Sequence, residues 1–515
     1  MGARPEPRFP GVAEVTFAAL PWIGLVAIVV LPPYLVGALA VGIRGDLGLG
    51  PAALGFAVAW FFLTSSLSAT TMGQVVERLG VKTGLVLGAT GATLALAGLG
   101  LSPAYPWMLV AMTAGGVGNA FIQPSVNAAL LRTISTARLG FSFGLKQAAV
   151  PVATLVAGLA IPTLAAVLGW RGTFGVAACV AALSAVLAGR TKARELAVRR
   201  TRRRISDLAE VRSLVLLSIG GLLAGMGATS LGVFMVDSAV ASGISEVRAG
   251  LIVATVSAAG VVGRVGLGWY ADVRPGRSRY GTIALLLAVA VPGYLLLTVP
   301  TTTTYVIGGL LGYIAGWSWP GLFHYAVVSQ NPVSPAAATG IVQTGLSFGA
   351  GLGPMVIGFV AEHFGYDTAW VLASILTGCG AIVIFAGRQH LKRTRRLASE
   401  ASAHEIEHLR WEEAEPEPAA PGVEVQHRET PNLQVAVYRL EPGARFAPPP
   451  ASRTGVLVLL DGDEVHVSIR GLVIVITPED RTQLPANRDW EIHNRRDVDV
   501  TVAHLEHRGN ASVAS

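Results

Sequence analysis

Long apolar runs separated by short polar breaks fill most of the chain, and the pattern then changes period. A helix rises 1.5 Å per residue, so about 20 apolar residues cross ~30 Å of hydrocarbon. Twelve runs have that length: 17–42, 52–72, 83–102, 106–131, 140–166, 172–189, 213–236, 249–270, 281–299, 304–329, 339–361 and 369–387. Past residue 422 the runs are short and β-branched: 435–440, 455–460, 465–469 and 472–476, with turn signals at Asp461-Gly462-Asp463 and Arg470-Gly471. The pattern predicts an all-α polytopic membrane part of two six-helix halves, followed by a small all-β antiparallel barrel or jelly roll. Between them, Ala398 to Glu415 reads as a short helix, and Pro416, Pro418 and Pro421 as a linker. The expected domains are 1–189, a basic loop 190–212, 213–396, a linker 397–421 and a β domain 422–515.

The two halves repeat one another at a shift of 195 or 196 residues. Gly73 to Glu77 falls on Gly268 to Asp272, Leu54-Gly55 on Ala249-Gly250, and Pro124 on Pro320. Gly144 to Gln147 falls on Gly340 to Gln343, and Gly169-Trp170 on Gly365-Tyr366. A duplicated set of spans puts a substrate site between two halves that rock against each other.

Composition agrees with a membrane protein: 52% of residues are hydrophobic and 14% charged, against about 25% charged in soluble domains. The net charge of +7 hides two opposite parts. From Leu397 onward 11 Arg face 20 Asp and Glu, a net of −9, while the preceding part carries +16. Basic cytoplasmic loops explain that excess without nucleic acid. Taking the N-terminus as cytoplasmic, Arg78, Lys82, Arg132, Arg138, Arg190 through Arg212, Arg274, Arg277, Arg279 and the 388–396 run all fall inside. Only Arg44, Arg171 and Arg248 fall outside. The protein is therefore expected in the cytoplasmic membrane, multi-pass, with both termini cytoplasmic and lipid around it. The first span has no cleavage pattern and reads as a retained helix. Cys179 and Cys379 lie in apolar runs and read as core packing, with no metal or disulfide role.

The loop between the second and third runs reads Gly73, Glu77, Arg78, Gly80, Lys82, and its copy in the second half reads Gly268, Asp272, Arg274, Gly276, Arg277. This resembles the Gly-x-x-x-Asp-Arg-x-Gly-x-Lys/Arg motif of the major facilitator superfamily, over about the first 390 residues. Glu77 replaces the motif's Asp, and Val273 stands where Arg would follow Asp272. The resemblance implies a secondary transporter, not an enzyme, with no cofactor, in which these residues gate the cycle. Arg264, one turn before Gly268, reads as a structural partner of the Asp272 loop, and less as a site residue.

No Asp or Glu lies within the twelve predicted spans, but Lys146, Arg264 and His324 do. Cations at membrane depth need counter-charge, and a bound anion supplies it. The repeat sets them apart: Lys146 falls on Val342, Arg264 on Ala69 and His324 on Ala128. The expected substrate-binding residues are Lys146, Gln147, Asn127, Gln123, Trp317, Trp319, His324 and Gln343. Lys146 has the alternative of snorkelling to the surface, and His324 of serving either as an interior structural group or as a proton-coupling one. The expected function is transport of a small organic anion by symport or exchange, with the proton as the candidate coupling ion. Efflux of hydrophobic drug-like compounds and a non-transporting membrane sensor are the alternatives. The Gly-Pro-x-x-Gly-Gly pattern of drug–proton antiporters is missing at Val150-Pro151.

The tail spacing resembles a cupin. Gly443 and Gly462 match the ends of the first cupin motif, and Pro485 and Asn494 match the second. The four metal-ligand positions are Pro449, Ala451, Gly455 and Trp490, none a ligand type. The resemblance implies a metal-free domain that binds a cytoplasmic ligand or partner, or that is structural.

Overall fold

The computed structural model describes residues 12–133, 139–191, 208–274, 279–331, 335–407, 417–429, 433–448, 455–469, 472–476, 481–484 and 489–507. Residues 192–207 of the expected basic loop, with Gly276, Arg277, Pro449, Ala451 and Pro485, lie outside the described residues.

Fourteen helices are described: α1 Val12–Ala38, α2 Ala40–Leu47, α3 Pro51–Leu79, α4 Val81–Gly100, α5 Tyr105–Thr133, α6 Leu139–Gln147, α7 Ala149–Ala160, α8 Ala166–Arg190, α9 Leu208–Ala241, α10 Glu246–Val273, α11 Arg279–Leu296, α12 Thr302–Leu311, α13 Pro320–Gln330 and α14 Pro335–Glu407. Nine segments among the described residues are long and apolar enough to cross a membrane. Two of them, Gly140–Arg190 and Ala337–Thr394, run to 51 and 58 residues, about twice what a bilayer needs. Each is broken by a glycine in the left-handed region, Gly169 at φ 64° and Gly365 at φ 85°. A Cβ there would meet the following carbonyl, so glycine is the residue for the break.

Apolar side chains cover the outside of the helices as well as the inside. Val262, Leu285 and Ile382 are exposed, as suits a lipid-facing belt. Cys179 and Cys379 are exposed too. This corrects the expectation of core packing: in a span, an apolar residue is satisfied by lipid as well as by protein. Small residues bring the two halves together. Gly37 lies against the Val233 backbone, Gly55 against the Pro354 carbonyl, and Gly358 against Pro51. At one end, α2 and α3 of the first half meet α9 and α14 of the second. At the other, α6 meets α10 and α13.

Past the spans, α14 continues to Glu407, so no separate helix starts at Ala398. Among the described residues ten strands follow in two antiparallel sheets: β1 Glu417–Ala420, β2 Val423–Glu429, β3 Leu433–Leu440, β4 Arg445–Phe446, β5 Gly455–Asp461, β6 Val465–Ile469, β7 Leu472–Ile476, β8 Arg481–Leu484, β9 Trp490–His493 and β10 Val500–His507. The orders are β1-β2-β3-β10-β5-β8 and β4-β9-β6-β7. Alternation along each strand buries Leu440, Val465, Val467, Ile492, Val500 and Val502 in one core. The stretch read as a proline linker thus includes a strand. Pro418 is tolerated because β1 is an edge, where a missing N–H breaks no inner ladder.

Candidate substrate site

Two interruptions of helical backbone build the centre of the molecule. Pro151 has no N–H to give the carbonyl of Gln147, four residues back, so that oxygen is left over where α6 ends and α7 begins. A π-helical turn, Gly312–Gly316, ends α12, and Trp317 leaves the helix with φ −128° and ψ −2°. The Trp317 carbonyl thereby stands outside the ladder.

Arg264 of α10 takes both oxygens. Its Nε donates to Trp317 O at 3.0 Å, and its guanidinium donates to Gln147 O. Its Cζ also lies 5.5 Å from the Trp317 ring. That ring packs edge-on against Tyr34 of α1 at 5.7 Å and Tyr313 at 5.2 Å. Arg264 is buried, and it joins the two halves through neutral carbonyls. Asp272 is occupied elsewhere: its carboxylate accepts the backbone N–H groups of Gly140 and Phe141, each at 2.7 Å, at the start of α6. A carboxylate suits the positive end of a helix. The Asp272 pairing expected for Arg264 is replaced by these two arrangements.

The α6 side chains Phe143 and Gln147 meet α13. The Gln147 Nε2 lies 3.4 Å from His324 Nδ1, and Phe143 stacks on the His324 ring at 6.1 Å. His324 Nε2 lies 2.8 Å from Gln343 Oε1. Lys146 is half-buried. Among the described residues neither Lys146 nor Arg264 forms an ion pair, and Lys146 makes no hydrogen bond.

Of the eight residues expected from sequence, Gln147, His324 and Gln343 are therefore linked directly, Trp317 joins Gln147 through Arg264, and Lys146 is the neighbour of Gln147 in α6. Trp319 is fully buried, and its indole donates to Gly316 O at 2.9 Å. It satisfies a carbonyl that Pro320 leaves unpaired and so serves the helix break. Gln123 belongs to a separate network, donating to Asn119 at 3.2 Å, which donates to Ser65 at 2.9 Å. Asn127 is exposed on α5. Among the expected gating residues, Gly268 packs on Gly144 and Gly140, Glu77 and Arg78 are exposed, Gly80 and Lys82 lie beside them at the α3–α4 turn, and Gly73 lies within α3.

Asp237 was missed. It is buried near the end of α9, inside the span Val211–Ala241. Arg44 of α2 pairs with it at 2.6 Å, and the Tyr366 hydroxyl of α14 donates to it. Nearby, Ala52 N donates to Glu362 at 2.9 Å. These contacts lock the end of the molecule opposite to Asp272.

In the β domain, Asn494 is buried and donates to the carbonyls of Leu440 and Val498 at 3.0 and 2.7 Å, a structural post. Trp490, at a cupin ligand position, is in the core. No cluster of three metal-ligating side chains occurs among the described residues. Burial, then Arg445 and Arg495, push the His493 pKa down to about 4, and burial pushes His504 to about 4.

The sequence profile described as Major Facilitator Superfamily matches residues 22–332 and 217–430. The chain belongs to the major facilitator superfamily. Among solved structures of this fold, a bacterial homolog of the human lysosomal transporter Spinster is similar at 14% identity, with a TM-score of 0.57, covering 74% of this chain and 98% of that one. That structure is inward-facing and unoccupied. A point mutant of the nucleoside transporter NupG is similar at 13% identity and a TM-score of 0.58, covering 72% of this chain and 99% of that one. At these identities the likeness is one of fold. No curated protein matches the chain. The family match ends at residue 430, so most of the β domain lies beyond it.

Proposed function

We propose that this superfamily member carries a small organic anion, a carboxylate, across the cytoplasmic membrane by alternating access. The observation that carries the reading is the pair Lys146 and Arg264, two cations at the junction of the halves with no carboxylate partner among the described residues. An unpaired charge out of water costs several kcal/mol. A carboxylate held between Lys146 and the free edge of the Arg264 guanidinium removes that cost and adds charge-assisted hydrogen bonds. Tyr34, Trp317 and Phe143 supply apolar walls.

The twelve predicted runs correspond to twelve crossings, with α8 and α14 each folding back at their glycine. By the distribution of Lys and Arg, the Asp237 end faces outward and the Asp272 end faces the cytoplasm. The Arg44–Asp237–Tyr366 cluster is then an outer gate, closed here. The tail is a metal-free, cupin-like domain at the cytoplasmic face, with a regulatory or structural role.

Thermal shift of the full-length protein in detergent tests the substrate class, since a ligand of the folded state raises its stability by mass action. Stabilisation by lactate or succinate, and not by cationic drugs or nucleosides, is expected. Stabilisation by hydrophobic cations instead overturns the anion reading and favours efflux.

A further inference from the structure

A row of basic side chains crosses the outer face of the second sheet of the β domain. Arg445 of β4 stands opposite His493 of β9, and His493 stands opposite His466 of β6. Residues directly opposite one another on paired strands point to the same face. The neighbouring row, Phe446, Ile492 and Val467, turns into the core, so Arg445, His493 and His466 turn away from it. Just past β9 stand Arg495 and Arg496.

His493 is held between two guanidinium groups. Arg495 Nε lies 3.0 Å from its Nδ1, and Arg445 Nε lies 3.4 Å from its Nε2. Burial and these two arginines keep the ring neutral, with its pKa at about 4. A guanidinium only donates, and a neutral imidazole has one lone pair and one N–H. The ring therefore accepts from one arginine and turns its N–H towards the other. The shorter contact puts the lone pair at Nδ1 and the N–H at Nε2. There two donors, His493 Nε2–H and Arg445 Nε–H, face each other with no acceptor between them. The charges are one-sided as well. Among the described residues neither Arg445 nor Arg495 forms an ion pair. Glu464 is engaged by Arg496 at 3.1 Å and lies 3.5 Å from His466 Nε2. Glu491, on the same face two residues before His493, pairs with none of them. His466 is buried, and its Nδ1 has no hydrogen-bond partner among the described residues.

We propose that this face of the β domain binds a phosphate monoester. One phosphate oxygen fits between His493 Nε2 and Arg445 Nε and accepts from both. The terminal nitrogens of Arg445 and Arg495 take further oxygens from either side of the ring. Donors so placed call for more acceptors than the two coplanar oxygens of a carboxylate. A phosphate monoester brings three oxygens around a tetrahedral centre and a charge of about −1.5 to −2 at neutral pH. The site stands apart from the transport reading, because it uses no residue of the membrane part.

Isothermal titration calorimetry of the full-length protein in detergent, with inorganic phosphate as the probe, tests the site. Saturable binding is expected, weakened at least about tenfold in Arg445→Gln and in Arg495→Gln. Both arginines are exposed, and their replacement leaves the core intact. Wild-type affinity is expected in Arg439→Gln, whose guanidinium pairs with Asp499 at 3.0 Å, and in Lys146→Ala. Acetate is expected to bind more weakly than phosphate. Absence of saturable binding, an affinity unmoved by both arginine substitutions, or acetate binding as tight as phosphate overturns the proposal. Loss of binding in Lys146→Ala alone puts the anion in the membrane part and overturns it too. Two sources share this chemistry, a free phosphate monoester and the headgroup of phosphatidic acid. Titration in nanodiscs of phosphatidylcholine, with and without phosphatidic acid, distinguishes them. A phosphate affinity lowered by phosphatidic acid assigns the site to the headgroup, and an unchanged affinity assigns it to the free anion.

Discussion

Pro151 and Arg264 illustrate how one missing backbone proton shapes the centre of the molecule. The Gln147 carbonyl loses its helical partner to Pro151 and gains the Arg264 guanidinium instead. Arg264→Met keeps the length of the side chain but leaves the Gln147 and Trp317 oxygens unpaired. Each buried unsatisfied group costs about 1–3 kcal/mol, so the unfolding midpoint in detergent is expected to drop. Adding Pro151→Ala restores an N–H to Gln147 O, and the double variant is expected to recover about 1 kcal/mol relative to the two effects summed. Strict additivity contradicts the account. At this scale the sequence was informative about identity and silent about partners. Lys146, Arg264 and His324 stood out as ionisable groups in apolar runs. That Arg264 serves two carbonyls while Asp272 caps α6 was not legible, because carbonyl partners carry no side-chain signature and lie far apart in the chain.

Helix ends decide what happens at the Asp237 end. The predicted span stopped at residue 236, whereas α9 continues to Ala241 and takes Asp237 inside. Span ends are the least reliable part of hydropathy reading. The signal available was the apolar Ala239-Val240-Ala241 beyond Asp237, which prolongs the run. The Arg44–Asp237 pair joins α2 to α9, and Tyr366 adds α14. Asp237→Asn keeps a hydrogen-bond acceptor for Tyr366 and removes the charge. Loosening of this end is expected, read as a longer and broader spin-label distance between positions 41 and 240 in a background lacking Cys179 and Cys379. An unchanged distance distribution contradicts a gating role for the pair. The glycine breaks were better marked, since Gly169-Trp170 and Gly365-Tyr366 coincide in the repeat.

Over the whole molecule, the twofold repeat and the change from long apolar runs to short β-branched ones were enough to separate a membrane part from a β part, and the superfamily match agrees with the first. The start of the β part was misplaced because an edge strand tolerates proline, which otherwise signals a linker. The β part has its own pH dependence. His504 is buried, with its pKa lowered to about 4, against ~6.5 when unfolded. The unfolded state then binds more protons between those values, so stability is fully present above about pH 6.5 and is lost as pH falls towards 4, by about 3 kcal/mol at most. The protection factors of β3, β5 and β10 amides in the full-length protein, corrected for the intrinsic pH dependence of amide exchange, are expected to be smaller at pH 5 than at pH 7. Equal protection at both contradicts a neutral, buried His504. For the molecule's central claim, the decisive measurement is counterflow of radiolabelled lactate and succinate in proteoliposomes, wild type against Lys146→Ala. Lys146 makes no hydrogen bond among the described residues, so its loss is expected to leave folding intact and to cut saturable exchange at least about a hundredfold, the equivalent of roughly 3 kcal/mol of binding. Wild-type rates in Lys146→Ala contradict an anion site at this junction.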